Sequence, residues 1–373
     1  MSDRPATIQE ANASMMRTGD CLGVHLRNAM QSDPMRATAR AIVAIVLAFA
    51  VTTIPILLSH KNPLTAYWSL VDGAFGSIDQ IAFAFNKSTP YMLCAVGIAL
   101  CFRAQIINIG AEGQIAVGAI AASWVALRFP TMPAALCVCS ALLAGFAAGA
   151  AWAAIAALIR LFRGVHEVLA TLLLNFVGVL MVSEVLNGSM GEDGAGFPQS
   201  PMFSDAALLP RLVPGTDLHI GFVLALLVAV LAQVLLSRTT FGFKLRLLGG
   251  SRAAAAYAGV SFAGGVTGVM ALSGGLAGLA GGVEVLGVHY RLIEGFSQGF
   301  GFTAVAVALL AAASPLAVIP AALFFGFLQA GSLSMQREAG VPSSIVYVIQ
   351  GLSIVFVLCA MGLNAQRASA RRV

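Results

Sequence analysis

Asn108-Ile109-Gly110-Ala111-Glu112-Gly113-Gln114 runs straight into the apolar stretch Ile115 to Phe129. It places one carboxylate between two glycines at the head of a hydrophobic helix. A charge at mid-bilayer depth costs about 2.5 to 3.5 kcal/mol on insertion scales, so such a residue turns to a bundle interior or a wet path. Gly110 and Gly113 allow close backbone approach or a bend beside it. This heptapeptide points to transport rather than to soluble enzymology.

The rest of the chain agrees. Of 373 residues, 59% are hydrophobic and only 10% charged, with mean hydropathy +0.89. Soluble domains are roughly a quarter charged. A spanning helix needs about 20 mostly apolar residues, and ten such runs are read near 41–59, 88–105, 110–128, 133–158, 167–187, 218–237, 262–286, 299–313, 315–334 and 342–362. Strand-like alternation is missing, so helices rather than a barrel satisfy the backbone in lipid. The expected fold is all-α and polytopic. Its parts are a polar N-terminal segment 1–40, a transmembrane domain 41–362 and a basic tail 363–373. Ala48-Phe49-Ala50 imitates a signal cleavage site, but the apolar run continues to Leu58, so a retained first helix is expected.

Net charge +5 does not indicate nucleic acid, because the basic residues sit at helix ends instead of on one surface. Alternating the spans puts fifteen of the 21 Lys and Arg on the side of the termini. The other six are Lys61, Lys87, Arg128, Arg211, Arg291 and Arg337. The positive-inside rule then places both termini in the cytoplasm.

Two loops stand out. The outer one, about 187–217, carries Glu192, Asp193, Asp205 and four prolines; it is either a plain solvated connector or part of a docking surface. The inner one, about 238–260, is basic at its start. Ala253 to Ala256, then Tyr257 and Gly259, read there as a short amphipathic helix with a glycine stop. Runs 107–179 and 299–355 share a small-residue helix, a proline turn and a second helix. They enter from opposite sides, as an inverted repeat would.

Enzyme signatures are missing, so no catalytic residue, cofactor or metal site is assigned. No G-x-x-x-x-G-K-[ST] loop exists. His166-Glu167 starts like a zinc helix, but Ala170 stands where the second histidine belongs. The six cysteines form no C-x-x-C pair and read as buried reduced thiols. Asn86-Lys87-Ser88 matches a glycosylation sequon, a pattern too short to carry weight.

The candidates for a solute path are Asn108, Gly110, Glu112, Gly113, Gln114, Thr171, Asn175 and Glu284. Glu112 has a bland alternative, a wetted carboxylate favoured by the dipole at the start of its own helix. Asn108 and Gln114 either bond a polar solute or cap the bend. Glu284 lines the path or meets interfacial water. Glu167, Thr171 and Asn175, four residues apart, form a polar stripe that serves as packing glue or conduit lining. Gly274, Gly278 and Gly282, with Gly264/Gly268 and Gly145/Gly149, make small-residue ridges for close helix packing.

In order along the chain come the 108–114 motif, Gly164-Val165-His166-Glu167 with Thr171 and Asn175, Tyr257-Ala-Gly259-Val, Ser273-Gly-Gly-Leu-Ala-Gly278, and Gly299-Phe-Gly301-Phe302. From about residue 40 to 362 this resembles the permease subunits of bacterial ABC importers for nucleosides and simple sugars, the group related to the ribose permease. The resemblance implies a non-catalytic pore subunit in the inner membrane, paired with a second permease chain, identical or homologous. It also implies a cytoplasmic ATPase and an extracytoplasmic solute-binding protein. The stretch with Lys244, Arg246, Arg252, Ala255, Tyr257 and Gly259 then corresponds to the helix that couples to the ATPase. Leu248-Gly249-Gly250-Ser251 departs from the family, which has Asn after the glycine. The alternative is an ATP-independent secondary transporter or channel, which predicts several buried ionisable pairs. A membrane enzyme predicts clustered His, Asp or Glu, and no such cluster is seen.

Overall fold

A computed structural model describes residues 34–370, so most of the polar segment 1–40 and the end of the basic tail lie outside the described residues. The described chain is helical, and among the described residues only two isolated bridge pairs have strand character. In order the helices are α1 (Pro34–Leu58), α2 (Pro63–Phe75), α3 (Ile78–Arg103), α4 (Ala111–Arg128), α5 (Ala134–Arg163), α6 (Glu167–Asn187), α7 (Gly221–Arg238), α8 (Thr240–Gly250), α9 (Arg252–Tyr257), α10 (Phe262–Glu284), α11 (Phe300–Leu310), α12 (Pro315–Glu338) and α13 (Ser344–Ala370). Two compact units emerge, one comprising residues up to Pro55 with those from Tyr347, the other Ile56–Val346. Helices α2 to α12 all belong to the second unit, which carries every candidate residue named from the sequence.

Local chemistry sets the helix ends. Ser77, Thr239, Ser251 and Ser261 each accept an amide hydrogen bond from the first turn of the helix they precede. α5 stops where Gly164 takes a left-handed conformation, φ +68°. Arg103, Arg128, Arg160 with Arg163, and Arg238 occupy last turns, where the negative end of the helix dipole favours a cation.

Central and peripheral helices differ in composition for a physical reason. In α5, α6 and α7 only 28% of the most apolar window is buried by the chain itself, whereas in α10 the figure is 83%. The former must therefore be apolar all round against lipid. α10 instead uses glycine to admit neighbours. A Cβ on Gly278 would strike the Gly145 carbonyl of α5, one on Gly274 the Gly149 carbonyl, and one on Gly118 of α4 the Gly278 backbone. The ridge foreseen at 274 and 278 is thus a three-helix seam, while Gly264 and Gly268 meet nothing closer than 3.6 Å.

Several spans need correction. Among the described residues, five helices are singly long and apolar enough to cross a membrane, six if the bent 42–58 and 63–75 pair counts once. α3 begins ten residues before the expected 88, so Lys87 lies within a helix and not in an outer loop. α3 and α4 are less apolar because they carry Asn86, Lys87, Glu112 and Gln114, all buried in protein rather than facing lipid. The expected span 299–313 is an 11-residue helix, about 16 Å long, half of the roughly 30 Å hydrocarbon core. The inner loop holds an additional helix, α8, ahead of α9. Among the thiols, Cys139 and Cys359 are exposed rather than buried.

Candidate functional site

α4 and α11 both start inside the bundle, and their N-termini meet. α3 ends at Arg103, whose Nε donates to the Ala313 carbonyl at 2.7 Å, so the segment just past α11 lies at that same end. From there residues 106–110 run without helical structure to the start of α4. Residues 290–299 approach from the opposite end, where backbone bonds join Ser200 to Leu292 (2.8 Å) and Phe203 to Tyr290 (2.9 Å). The two helices thus start side by side, each reached by non-helical backbone from a different end of the bundle.

Non-helical backbone inside a membrane protein must find partners within the protein. Around 106–110 neutral side chains supply them. The Asn108 Oδ1 accepts from the Gly110 amide at 2.9 Å and from Gln114 Nε2 at 3.2 Å. Its Nδ2 donates to Gln114 Oε1 (3.1 Å) and to Ser273 Oγ of α10 (3.0 Å). Asn175 of α6 straddles the break, its Oδ1 accepting from the Gly113 amide and its Nδ2 donating to the Ile109 carbonyl, each at 2.8 Å. Thr171, one turn earlier, is buried and bonds back to the Glu167 carbonyl at 2.8 Å. It leaves so little room at Gly110 that a Cβ there would sit 3.0 Å from the Thr171 Cβ.

At α11 one carboxylate does the equivalent task. Glu112, only 4% exposed, accepts from the Ser297 hydroxyl at 2.5 Å and the Gly299 amide at 3.2 Å through Oε1. Its Oε2 accepts from the Gly301 amide at 2.7 Å. The first amides of a helix lack intrahelical acceptors and carry the positive end of its dipole, so an anion is favoured there. Glu112 is therefore not the wetted carboxylate of its own helix start: it caps a different helix. Gly301 permits the approach, because a Cβ there would strike the Glu112 amide nitrogen.

The remaining candidates separate from this junction. Glu284 ends α10, buried, with Lys87 Nζ of α3 at 3.9 Å and His289 Nε2 at 3.6 Å. Glu167 pairs with Arg160 at 2.7 Å, beside His166 at 3.4 Å. The coupling candidates form a third group at the Arg103 end. Lys244 is exposed and Arg246 bonds the Leu236 carbonyl. Ala255 is buried, Tyr257 is 97% exposed, and Gly259 turns the chain at φ +72°. Of Arg252 only its helical backbone, the first residue of α9, is described.

Sequence reasoning missed Ser273, Ser297 and Lys87 as site residues. Lys87 falls just before the expected span 88–105 and so reads as a loop cation, although its neighbour Asn86 is buried and donates to the Asp217 carbonyl at 2.5 Å. The outer loop is also not a free connector. Its backbone bonds residues 286–294, and Glu192 pairs with Arg291 at 3.3 Å.

This architecture of interrupted helices meeting inside a polytopic bundle is that of a membrane permease. The chain belongs to the family described as branched-chain amino acid transport system / permease component, matched over residues 80–358. It is 34% identical to the guanosine ABC transporter permease protein NupP of Bacillus subtilis, covering 87% of this chain and 93% of that one. It is also 34% identical to the glucose ABC transporter permease protein TsgB13 of Haloferax volcanii (88% and 90%). The nucleoside ABC transporter permease protein NupB of Lactococcus lactis is 30% identical (85% and 89%). No solved structure matches. The chain is thus a pore subunit of an ABC importer, a transport subunit, and the ATP-independent alternative is not favoured.

Proposed function

We propose that the chain forms, with a second permease chain, the pore of an inner-membrane importer for a nucleoside, or failing that a simple sugar. An extracytoplasmic binding protein delivers the solute and a cytoplasmic ATPase drives the cycle. Of the three relatives, two carry guanosine or nucleoside in their names and the third glucose. The observation carrying the reading is the meeting of α4 and α11 at Glu112, where non-helical backbone from both ends of the bundle is held by Asn108, Gln114, Asn175 and Ser297. Such interrupted helices are how transporters place polar groups at depth. Thr171, Gly110 and Gly113 shape the same junction.

Orientation follows the charge. Arg103, Arg160, Arg163, Arg238, Lys244 and Arg246 share one end, which faces the cytoplasm by the positive-inside rule. Moving Lys87 out of the loops removes a cation from the opposite side and strengthens that bias. α9, with Tyr257 projecting into solvent, is then the contact for the ATPase. The opposite face, with Asp193 and Asp205 exposed on the long loop, receives the binding protein.

The test is uptake of radiolabelled guanosine into proteoliposomes holding this chain with its sister permease, ATPase and binding protein. Uptake should require ATP. Uptake unchanged when ATP is withheld removes the proposal.

A further inference from the structure

A second polar constellation adjoins the α4–α11 junction through Lys87 and takes no part in capping either helix. A pocket of about 80 Å³ opens between α3, the end of α10 and the long loop, lined by Phe83, Lys87, Asp217, Glu284, Val288 and Tyr290. Its floor is polar and incomplete. Glu284 is 1% exposed, yet its Oε1 has no hydrogen-bond partner, nor does the His289 Nε2. The closest groups to that oxygen, Lys87 Nζ at 3.9 Å and His289 Nε2 at 3.6 Å, lie beyond hydrogen-bonding distance. A buried polar atom left in this state is destabilising, so each such case calls for an explanation. Aromatic rings border the same gap. The Lys87 ammonium lies 5.5 Å from the Phe83 centroid and 5.3 Å from that of Phe300, the first residue of α11.

The wall chemistry selects a ligand class by elimination. An anion meets the Glu284 carboxylate, and a cation meets the Lys87 ammonium. A neutral group that both donates and accepts suits a carboxylate oxygen and an ammonium at once. Two adjacent hydroxyls do this, one donating to Glu284 and the other accepting from Lys87. A single water needs roughly 10–15 Å³ of such space, so the pocket holds several waters or one edge of a sugar ring. It is too small for a whole nucleoside, whose base would stay at the rim near Tyr290.

We propose that this pocket is a subsite on the loop side of the pore that binds the vicinal diol of a pentose, with Glu284 as acceptor and Lys87 as donor. The proposal rests on the reading of the chain as an importer of nucleosides or sugars. Lys87 also lies over Phe300, so the subsite shares a side chain with the start of the helix whose first amides Glu112 caps.

The experiment compares guanosine with 2′,3′-dideoxyguanosine in the reconstituted complex, with saturating binding protein common to both arms. Glu284→Gln should lower guanosine uptake at least tenfold and dideoxyguanosine uptake less than twofold. Equal losses, or none in either arm, overturn the proposal. A second measurement does not depend on that variant assembling. The thiol introduced by Val288→Cys is labelled with maleimide and followed by peptide mass, with and without D-ribose or guanosine. Either diol should slow labelling severalfold, and dideoxyguanosine should not. No protection by any diol overturns the proposal. Protection by D-ribose in a complex that transports no guanosine removes the nucleoside reading alone and leaves the diol subsite standing.

Discussion

α4 and α11 present the same problem, a helix that starts inside the bundle, and solve it with different chemistry. The approach to α4 is held by neutral groups spread over four side chains, Asn108, Gln114, Asn175 and Ser273, from the break itself, α4, α6 and α10. The start of α11 is held by one carboxylate and one hydroxyl, Glu112 and Ser297. Hydrogen bonds to an ionised acceptor are roughly twice as strong as neutral ones. The charged solution therefore concentrates the stability of α11 in one residue, while the neutral one distributes that of α4. It also makes α11, half a crossing long, the element whose anchorage a single event can release.

That contrast is open to direct attack. The largest effect is expected for Glu112→Ala, which strands two amides and a hydroxyl in the interior. Thermal unfolding in detergent should show a loss of at least about 3 kcal/mol, and ATP-dependent uptake should fall more than tenfold. Glu112→Gln retains a neutral acceptor, so about half that loss is expected. Next comes Asn175→Ala, which frees the Gly113 amide and the Ile109 carbonyl at a cost of about 2 kcal/mol by the same measurement. Asn175→Asp keeps the acceptor but turns a second oxygen on the Ile109 carbonyl and buries a charge, so it should lose at least as much. Were Asn175→Ala as damaging as Glu112→Ala, the distinction between a concentrated and a distributed anchor would fail.

Packing beneath the junction gives the third test. Gly278→Ala drives a methyl into the Gly145 carbonyl and should cost about 1–3 kcal/mol. Gly264→Ala, in the same helix but uncrowded, should be neutral or gain up to about 1 kcal/mol from helix propensity. Equal effects would show that the seam tolerates separation. The smallest stability change, within about 0.5 kcal/mol, is expected for Tyr257→Ala, since that ring is almost wholly solvent-exposed. Its effect should appear instead in ATP-driven uptake, which separates coupling from folding.

Much of this was legible from residue types. Gly110 and Gly113 around Glu112 announced close backbone approach or a bend, the Glu167-Thr171-Asn175 spacing announced a polar stripe facing other helices, and Ala253 to Gly259 announced a short helix with a glycine stop. Other features were misread for identifiable reasons. Lys87 looked like a loop residue because a hydropathy window treats every cation as a boundary. In α3 its charge is offset by Glu284 and by two aromatic rings. The 299–313 run looked like a full crossing because composition does not report where a chain enters the membrane. For Glu112 the sequence leaves a path residue and a wetted carboxylate at its own helix start both open, because its partners, Ser297 to Gly301, lie more than 180 residues away.

By itself the sequence determined that this chain lives in lipid as a helical bundle, since long apolar runs have no other way to satisfy their backbone there. It also marked where polar residues enter that bundle, because an intramembrane carboxylate or amide is too costly to occur without a partner. Only the tertiary structure decided which partner each one takes. A hydrogen bond depends on distances of a few ångströms between segments far apart in the chain, and residue order along one helix carries no record of the neighbour it will meet.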